Sequence, residues 1–244
     1  MAVKKPAPND LAIYDAHAAN WWDDSIVWVR LLHDMVAGRM RHFDPLIGLW
    51  AGKDVLDLGC AGGFMAEAIA RRGARVTGID PAGRAIAAAK AHAAAEKLAI
   101  RYTTGSGEHL PYEDQAFDIV VCVDVLEHVP DLDAVLLEIR RVLRPQGLLL
   151  FDTINRNPLA SFVIVTVAEN WLNLLPKGTH DPKMFIKPGE LRAALVKAGL
   201  QPVGISGFGP LGWRSRRALF GWWPSVAVQY IGHARVTGPP TFEG

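Results

Sequence analysis

The sequence predicts an α/β fold, a seven-stranded and mostly parallel sheet covered by helices on both faces and preceded by a helical extension. Between Lys53 and Ala234, short β-branched runs alternate with helical stretches, which is the pattern of strands joined by crossover helices. Phe117 to Val123 is apolar without interruption, as a central strand buried on both faces must be. Asp131 to Leu143 sets Leu132, Val135, Leu136, Ile139 and Leu143 on one helical face. A chain of 244 residues, 50% of them hydrophobic, is long enough to bury one sizeable core.

The elements follow in order. Leu11 to Leu49 reads as helical and aromatic, with Trp21, Trp22 and Trp28. Residues 1–50 are thus an extension, either a lid or ordinary packing, on a main unit spanning 51–244. Val55 to Leu58 is the first strand and Gly62 to Arg72 the first helix. Arg75 to Ile79, Gly83 to Lys97 and Ile100 to Thr104 give a strand, an Ala-dense helix and a strand, ahead of the central Phe117 to Val123. Pro145 and Gly147 stop the next helix before a fifth strand, Leu148 to Thr153. An apolar insertion at about 158–181 leads to a helix from Pro188, with Gly199 placed to end it. Gln201 to Ser206 and Ser225 to His233 are then an antiparallel pair, because no helical pattern separates them.

Composition excludes several classes. With 26 Lys plus Arg against 25 Asp plus Glu, the net charge is +1, too little to attract a phosphate polymer, so no nucleic-acid partner is expected. Cys60 and Cys122 cannot build a disulfide framework and fit a reducing, cytoplasmic setting. Met1 to Asp10 lacks the apolar run of an export signal and reads as a frayed tail. The longest apolar stretch, Pro158 to Leu175, is broken by Glu169 and Asn170, so no membrane-spanning segment is expected.

Chemistry concentrates where the first strand runs into Gly59-Cys60-Ala61-Gly62-Gly63 and a helix opens. Glycines let the backbone turn tightly and a ligand approach it, and Asp80, about 20 residues on, ends the second strand where a carboxylate can accept from ribose hydroxyls. The alternative is that the glycines only permit close packing and Asp80 caps the next helix. A dinucleotide clamp is poorly served, since Ala61 and Phe64 stand where its second and third glycines belong, which argues against a nicotinamide dehydrogenase. Asp57, an acid at the strand end, suits instead a cationic sulfonium nucleoside.

These residues, with Gly105-Ser106-Gly107-Glu108-His109-Leu110-Pro111, Phe117-Asp118-x-Val120 and Leu126-Glu127-His128-Val129-Pro130-Asp131, resemble the motif series of class I S-adenosylmethionine-dependent methyltransferases, whose fold is Rossmann-like. More narrowly, Trp21-Trp22-Asp23, Thr153 to Asn157, Pro176 to Asp181 and Phe185 to Pro188 are similar to the ubiquinone-biosynthesis O-methyltransferases. The likeness runs from Tyr14 to Gly199. It implies transfer of a methyl group from S-adenosylmethionine to a ring hydroxyl of a polyprenyl phenol or quinol. It also implies a cofactor site of Arg39, Asp57, Gly59, Ala61 and Gly62, of Asp80 and Pro81, of Ser106, Gly107 and Glu108, and of Asp124 and Val125. Ala61 stands where that family commonly has Gly, and Ser106 where many class I enzymes have an acid, which moves the adenine-side contact to backbone at Ser106 and Gly107. Ile26 to Arg39 lacks the family's Asn-Pro pair, while His33 and Arg39 fall where it has a His and an Arg.

Methyl transfer is an in-line displacement, so much of its rate comes from positioning, and a phenol must also lose its proton. His128 and Glu127 are the catalytic candidates on the loop after the fourth strand, His128 first because imidazole titrates nearest neutrality. The alternative is that they only shape the loop before Pro130. A Mg²⁺ ion held by Asp124, Asp152 and Asn155 is a further expectation, oxygen ligands on two strand ends suiting a hard cation. The insertion, with Phe162, Ile164 and Trp171, reads as a lid over an apolar pocket or a peripheral contact with the inner face of the membrane, with Lys177 near anionic lipid. Arg214, Arg216 and Arg217 beside Trp213, Trp222 and Trp223 read as a second interface anchor or a solvated turn. Two other functions stay open: a methyltransferase for another small molecule, such as a natural-product phenol or an acid, and a catalytically silent nucleoside-binding subunit.

Overall fold

A computed structural model of the chain describes Asn9 and residues 12–237. The remainder of the tail expected at Met1 to Asp10 lies outside the described residues. Asn9 itself is not frayed, because its side chain is hydrogen-bonded to His128, deep in the fold.

The sheet has the order β3-β2-β1-β4-β5-β8-β6-β7, with β1 at Asp54–Leu58, β2 at Arg75–Asp80, β3 at Ile100–Thr104, β4 at Phe117–Cys122, β5 at Leu143–Ile154, β6 at Leu200–Arg214, β7 at Arg217–Trp223 and β8 at Gln229–Val236. The first five strands are parallel to one another, and β5–β8, β8–β6 and β6–β7 pair antiparallel. Burial on both faces is written in the alternation of β1 and β4. Val55, Ile119 and Val121 enter a core with Met35, Phe43, Ile69 and Ile86. Leu56 and Val120 enter the opposite one, with Leu136, Ile139, Leu191 and Leu195.

The first core is covered by α2 at Val27–Ile47, α3 at Phe64–Ala70 and α4 at Gly83–Ala95, after a short α1 at Ala12–Ala16. The second is covered by α5 at Leu132–Val142, begun by the Asp131 carboxylate accepting from Ala134 N at 3.0 Å, and by α7 at Pro188–Lys197. Chain direction leaves β1 for β2 on one side and returns as β4 on the other. The crevice beyond the carboxyl ends of β1 and β4 is the place where open sheets of this kind hold ligands.

Two expectations are corrected. The sheet has eight strands rather than seven, because Arg217 and the tryptophans after it form β7 and not a solvated turn. The hairpin turns at Ser215 and Arg216, both left-handed at φ +49° and +69°, a conformation that Asn-Gly usually announces and Ser-Arg does not. β7 docks on α2: Asp34 accepts from Ala218 N at 2.7 Å and from Arg217 Nη1 at 3.1 Å, and Arg217 also pairs with Asp24. The insertion is not an ordinary helix either. After α6 at Pro158–Ser161 it continues as ten residues of π-helix, Phe162–Trp171. Among the described residues no helix is long and apolar enough to cross a membrane.

Candidate functional site

The glycine turn is forced by packing. Gly59 sits at φ +74°, and a Cβ there would lie 2.2 Å from Val125 Cγ2. Its N–H and that of Cys60 both donate to Ile79 O, at 2.8 and 3.1 Å, tying the turn to the end of β2. From the other side the extension closes on it. Trp22 Nε1 donates to Gly62 O at 3.0 Å, and a Cβ on Gly62 would meet the Trp21 ring at 2.7 Å. Trp21 is buried against Trp28 and Phe64 and is packing and cavity wall at once.

A cavity of about 510 Å³ opens above this turn. Gly59, Ala61, Asp57, Asp80 and Pro81 line one end of it, and Ser106, Gly107 and Glu108 come from the loop after β3. Arg39, Asp124, Val125 and His128 also line it; Gly62, under Trp21, does not. Asp80 does part of what its structural reading asked, since its oxygens accept from Ala61 N at 2.9 Å and Ala82 N at 2.8 Å. A carboxylate has about four acceptor positions, so room for sugar hydroxyls remains. Asp57 is the more telling acid. It is buried, its Oδ2 has no partner, and burial pushes its carboxyl up to about 7. A buried acid with one oxygen left unpartnered suits a positively charged ligand, so the cradle and its acid fit a sulfonium nucleoside.

The oxygen groups expected to hold Mg²⁺ are committed elsewhere. Asp152 Oδ2 accepts from Arg39 Nε at 2.5 Å and its Oδ1 from Asp124 N at 2.8 Å. Asp124 accepts from Arg39 Nη2, and from Gln229 Nε2 at 3.2 Å. Asn155 turns away and donates to Val226 O at 2.9 Å. A guanidinium therefore occupies the position expected for a metal ion, and Asp124, Asp152 and Asn155 do not make a cation site. Arg39 and Asp152 are buried, Asp124 is half-buried, and the guanidinium braces the ends of β4 and β5, while burial still holds the Asp152 carboxyl above its usual range. Its pairing was invisible in the sequence, where only its family position marked it.

Past Asp124 the loop brings Glu127 and His128 together with His180 from the far end of the insertion. One ligand-type atom from each lies within 4.8 Å of the others. Glu127 Oε2 accepts from Thr153 Oγ1 at 2.8 Å, its Oε1 has no partner, and burial beside Asp124 pushes the carboxyl up to about 8. His128 Nδ1 is 2.6 Å from Asn9 Oδ1, its Nε2 has no partner, and burial next to His180 holds it down to about 3. Burial thus moves the two groups in opposite senses, the Glu127 carboxyl up and the His128 imidazole down. His180 is fixed by Glu169, which accepts from His180 Nδ1 at 2.6 Å and from His180 N at 3.1 Å. Glu169 reads in the sequence as a break in an apolar run, yet it turns inward and is 1% exposed. Only the Pro176 to Asp181 motif could have pointed to His180, and nothing pointed to Asn9 or Glu169.

Comparison with known proteins fits this geometry. Residues 56–151 match the family model described as a methyltransferase domain. A ubiquinone biosynthesis O-methyltransferase of Pseudomonas savastanoi pv. phaseolicola is 43% identical over 199 residues, 81% of this chain and 85% of that protein. One from Pseudomonas fluorescens is 40% identical over 225 residues, 91% of this chain and 94% of that protein. Among solved structures, a SAM-dependent methyltransferase from Aquifex aeolicus superimposes with a TM-score of 0.64 at 15% identity, covering 91% of this chain and 98% of that one, a likeness of fold.

Proposed function

We propose, from the premise that this chain belongs to the family of ubiquinone biosynthesis O-methyltransferases, that the hydroxyl it methylates, with S-adenosylmethionine as donor, is on the ring of a polyprenyl phenol or quinol. The observation that carries the reading is one cavity reaching from the glycine turn to His128. When bound, the cofactor supplies an electrophilic methyl carbon and leaves as the neutral thioether. Gly59 and Ala61 hold the nucleoside close to backbone, Asp57 faces its positive charge, and Arg39 keeps Asp124 and Asp152 from adding unbalanced negative charge nearby. His128, which lines the cavity, would receive the phenol, and the unpartnered Glu127 Oε1 beside it would take the phenol's proton. A base raised toward the phenol's pKa of about 10 is well matched to that transfer.

Incubation with labelled cofactor and catechols with and without prenyl tails, read by mass spectrometry, tests the assignment. A ring O-methyl product with preference for the tailed catechols is expected, and Glu127→Gln should lower kcat on the order of 10²-fold or more without moving S-adenosylhomocysteine affinity. Indifference to the tail would cut the polyprenyl part away.

A bound metal ion is a second reading, favoured by the partnerless Glu127 Oε1 and His128 Nε2 beside His180. Two imidazoles and one carboxylate suit a transition ion better than Mg²⁺. Turnover that survives EDTA supports the metal-free reading; turnover lost to EDTA and restored by zinc or manganese supports the second.

The same function puts the enzyme in the cytoplasm, in peripheral contact with the inner face of the membrane where a polyprenyl substrate resides. Leu159, Phe162, Trp171 and Leu172 support this, since the insertion leaves all four exposed, Trp171 at 65%. Flotation with anionic liposomes should fall several-fold in a Phe162→Asp, Trp171→Asp, Leu172→Asp variant. Equal flotation would remove the membrane contact.

A further inference from the structure

We propose that Asn9 is a positioning residue that fixes His128 in the tautomer carrying its proton on Nδ1, leaving the lone pair on the unpartnered Nε2. The proposal rests on the reading of His128 as part of the acceptor site.

The geometry leaves one assignment. Asn9 Nδ2 is 3.1 Å from the His128 main-chain carbonyl, which can only accept, so the amino end of the amide faces it. The other end of the same amide, Oδ1, can also only accept, and it lies 2.6 Å from His128 Nδ1. The Nδ1 position must therefore hold the proton. An imidazole without partners favours the opposite tautomer, with the proton on Nε2, and His128 Nε2 is buried with no group to accept from it. Remove Asn9 and the Nδ1 proton loses its acceptor, so the intrinsic preference takes over: the proton moves to Nε2 and the lone pair to Nδ1. Orientation is fixed as well, since the paired contacts to ring and main chain stop the side chain from rotating, and the Tyr14 ring stands edge-on to His128 at 6.5 Å.

The placement of Asn9 gives this pair a wider role. It is 119 residues from His128 in sequence, on the segment that leads into Tyr14, which lines the cavity, and Asp15, which accepts from Arg84 N at 2.9 Å. Asn9 and Tyr14 thus both bring the extension against His128, the one through its amide and the other through its ring.

The test compares Asn9→Ala and Asn9→Asp with the full-length wild type. Ring nitrogen shifts of His128 in ¹⁵N-labelled protein, assigned by their loss in His128→Gln, report the tautomer directly. The wild type should show the Nδ1 proton and Asn9→Ala the Nε2 proton. In Asn9→Ala, kcat should fall about 10- to 100-fold, the range seen when the partner that orients a functional histidine is removed, with the S-adenosylhomocysteine Kd within about twofold. Asn9→Asp keeps an acceptor for the Nδ1 proton and should recover most of kcat and the wild-type signature. Retention of the Nδ1 signature in Asn9→Ala overturns the proposal, as does an unchanged kcat. A loss of cofactor affinity in step with kcat overturns it too, because Asn9 would then serve the cavity and not the imidazole. If no phenol is methylated by the wild type, the substrate reading fails alone, and the nitrogen shifts still decide this one.

Discussion

Asp57 was legible in the sequence as an acid beside a glycine turn, but the state of its carboxyl is something only packing reveals. It is buried with one oxygen unpartnered, Ala66 N–H being the compensating donor, and its carboxyl is pushed up to about 7. The unfolded value is near 3.9, so between the two the folded chain holds a proton that the unfolded chain has lost. Stability of the cofactor-free protein therefore falls as pH rises from about 4 to about 7, and this loss persists above. A cationic ligand reverses the preference and expels the proton, so the Kd for S-adenosylmethionine should fall as pH rises through about 7. Calorimetry at pH 7 in two buffers of different ionisation enthalpy should show proton release on binding. Asp57→Asn should release none, bind about tenfold more weakly at pH 8, near 1.4 kcal/mol, and lose the pH dependence. Proton release that persists in Asp57→Asn would assign the titration to another group. Asn9 and Glu169 were illegible for the opposite reason: their contacts with His128 and His180 arise in the fold, and no local pattern encodes them.

Elements with strong local signals came out as the sequence predicted them. The central strand and the α5 face are set by burial periodicity, and the Asp131 cap and the Pro188 start are set by backbone chemistry. β7 escaped because its turn uses two non-glycine left-handed residues and it packs on a helix from the distant extension. The close approach of that helix runs through Gly38, where a Cβ would lie 2.8 Å from both Cβ and O of Phe220. In a free helix Gly→Ala gains about 1 kcal/mol. Here a backbone atom stands in the way, and overpacking costs about 1–3 kcal/mol, so the clash outweighs the propensity. Gly38→Ala should lower stability in urea, and hydrogen exchange should show faster opening at Ala218 to Phe220 than in β1 or β4. A stabilised Gly38→Ala would mean that α2 and the hairpin are not packed as closely as described.

For the whole molecule the decisive question is whether the extension is an appendage or part of the same cooperative unit. Its boundary near residue 50 is clear in sequence, yet its contacts are those of a core element. Arg39 leaves α2 to reach Asp124 and Asp152 under the cavity, Trp21 covers Gly62, and Asp34 holds the hairpin. The ion network is the sharpest probe, because a buried carboxylate stripped of its cation is worth far more than a surface pair. Removing one partner of such a network costs about 3–5 kcal/mol. For a chain of this size each kcal/mol moves Tm by about 2–4 °C, so Arg39→Met should lower Tm by roughly 6–20 °C. Adding Asp152→Asn to Arg39→Met removes the stranded charge and should restore part of that loss, although the single Asp152→Asn is itself destabilising. Calorimetry should show one transition in every variant if extension and sheet unfold together. Two transitions, with the lower alone displaced by Arg39→Met, would make the extension a separately folding lid and would confine the network to local bracing of the site.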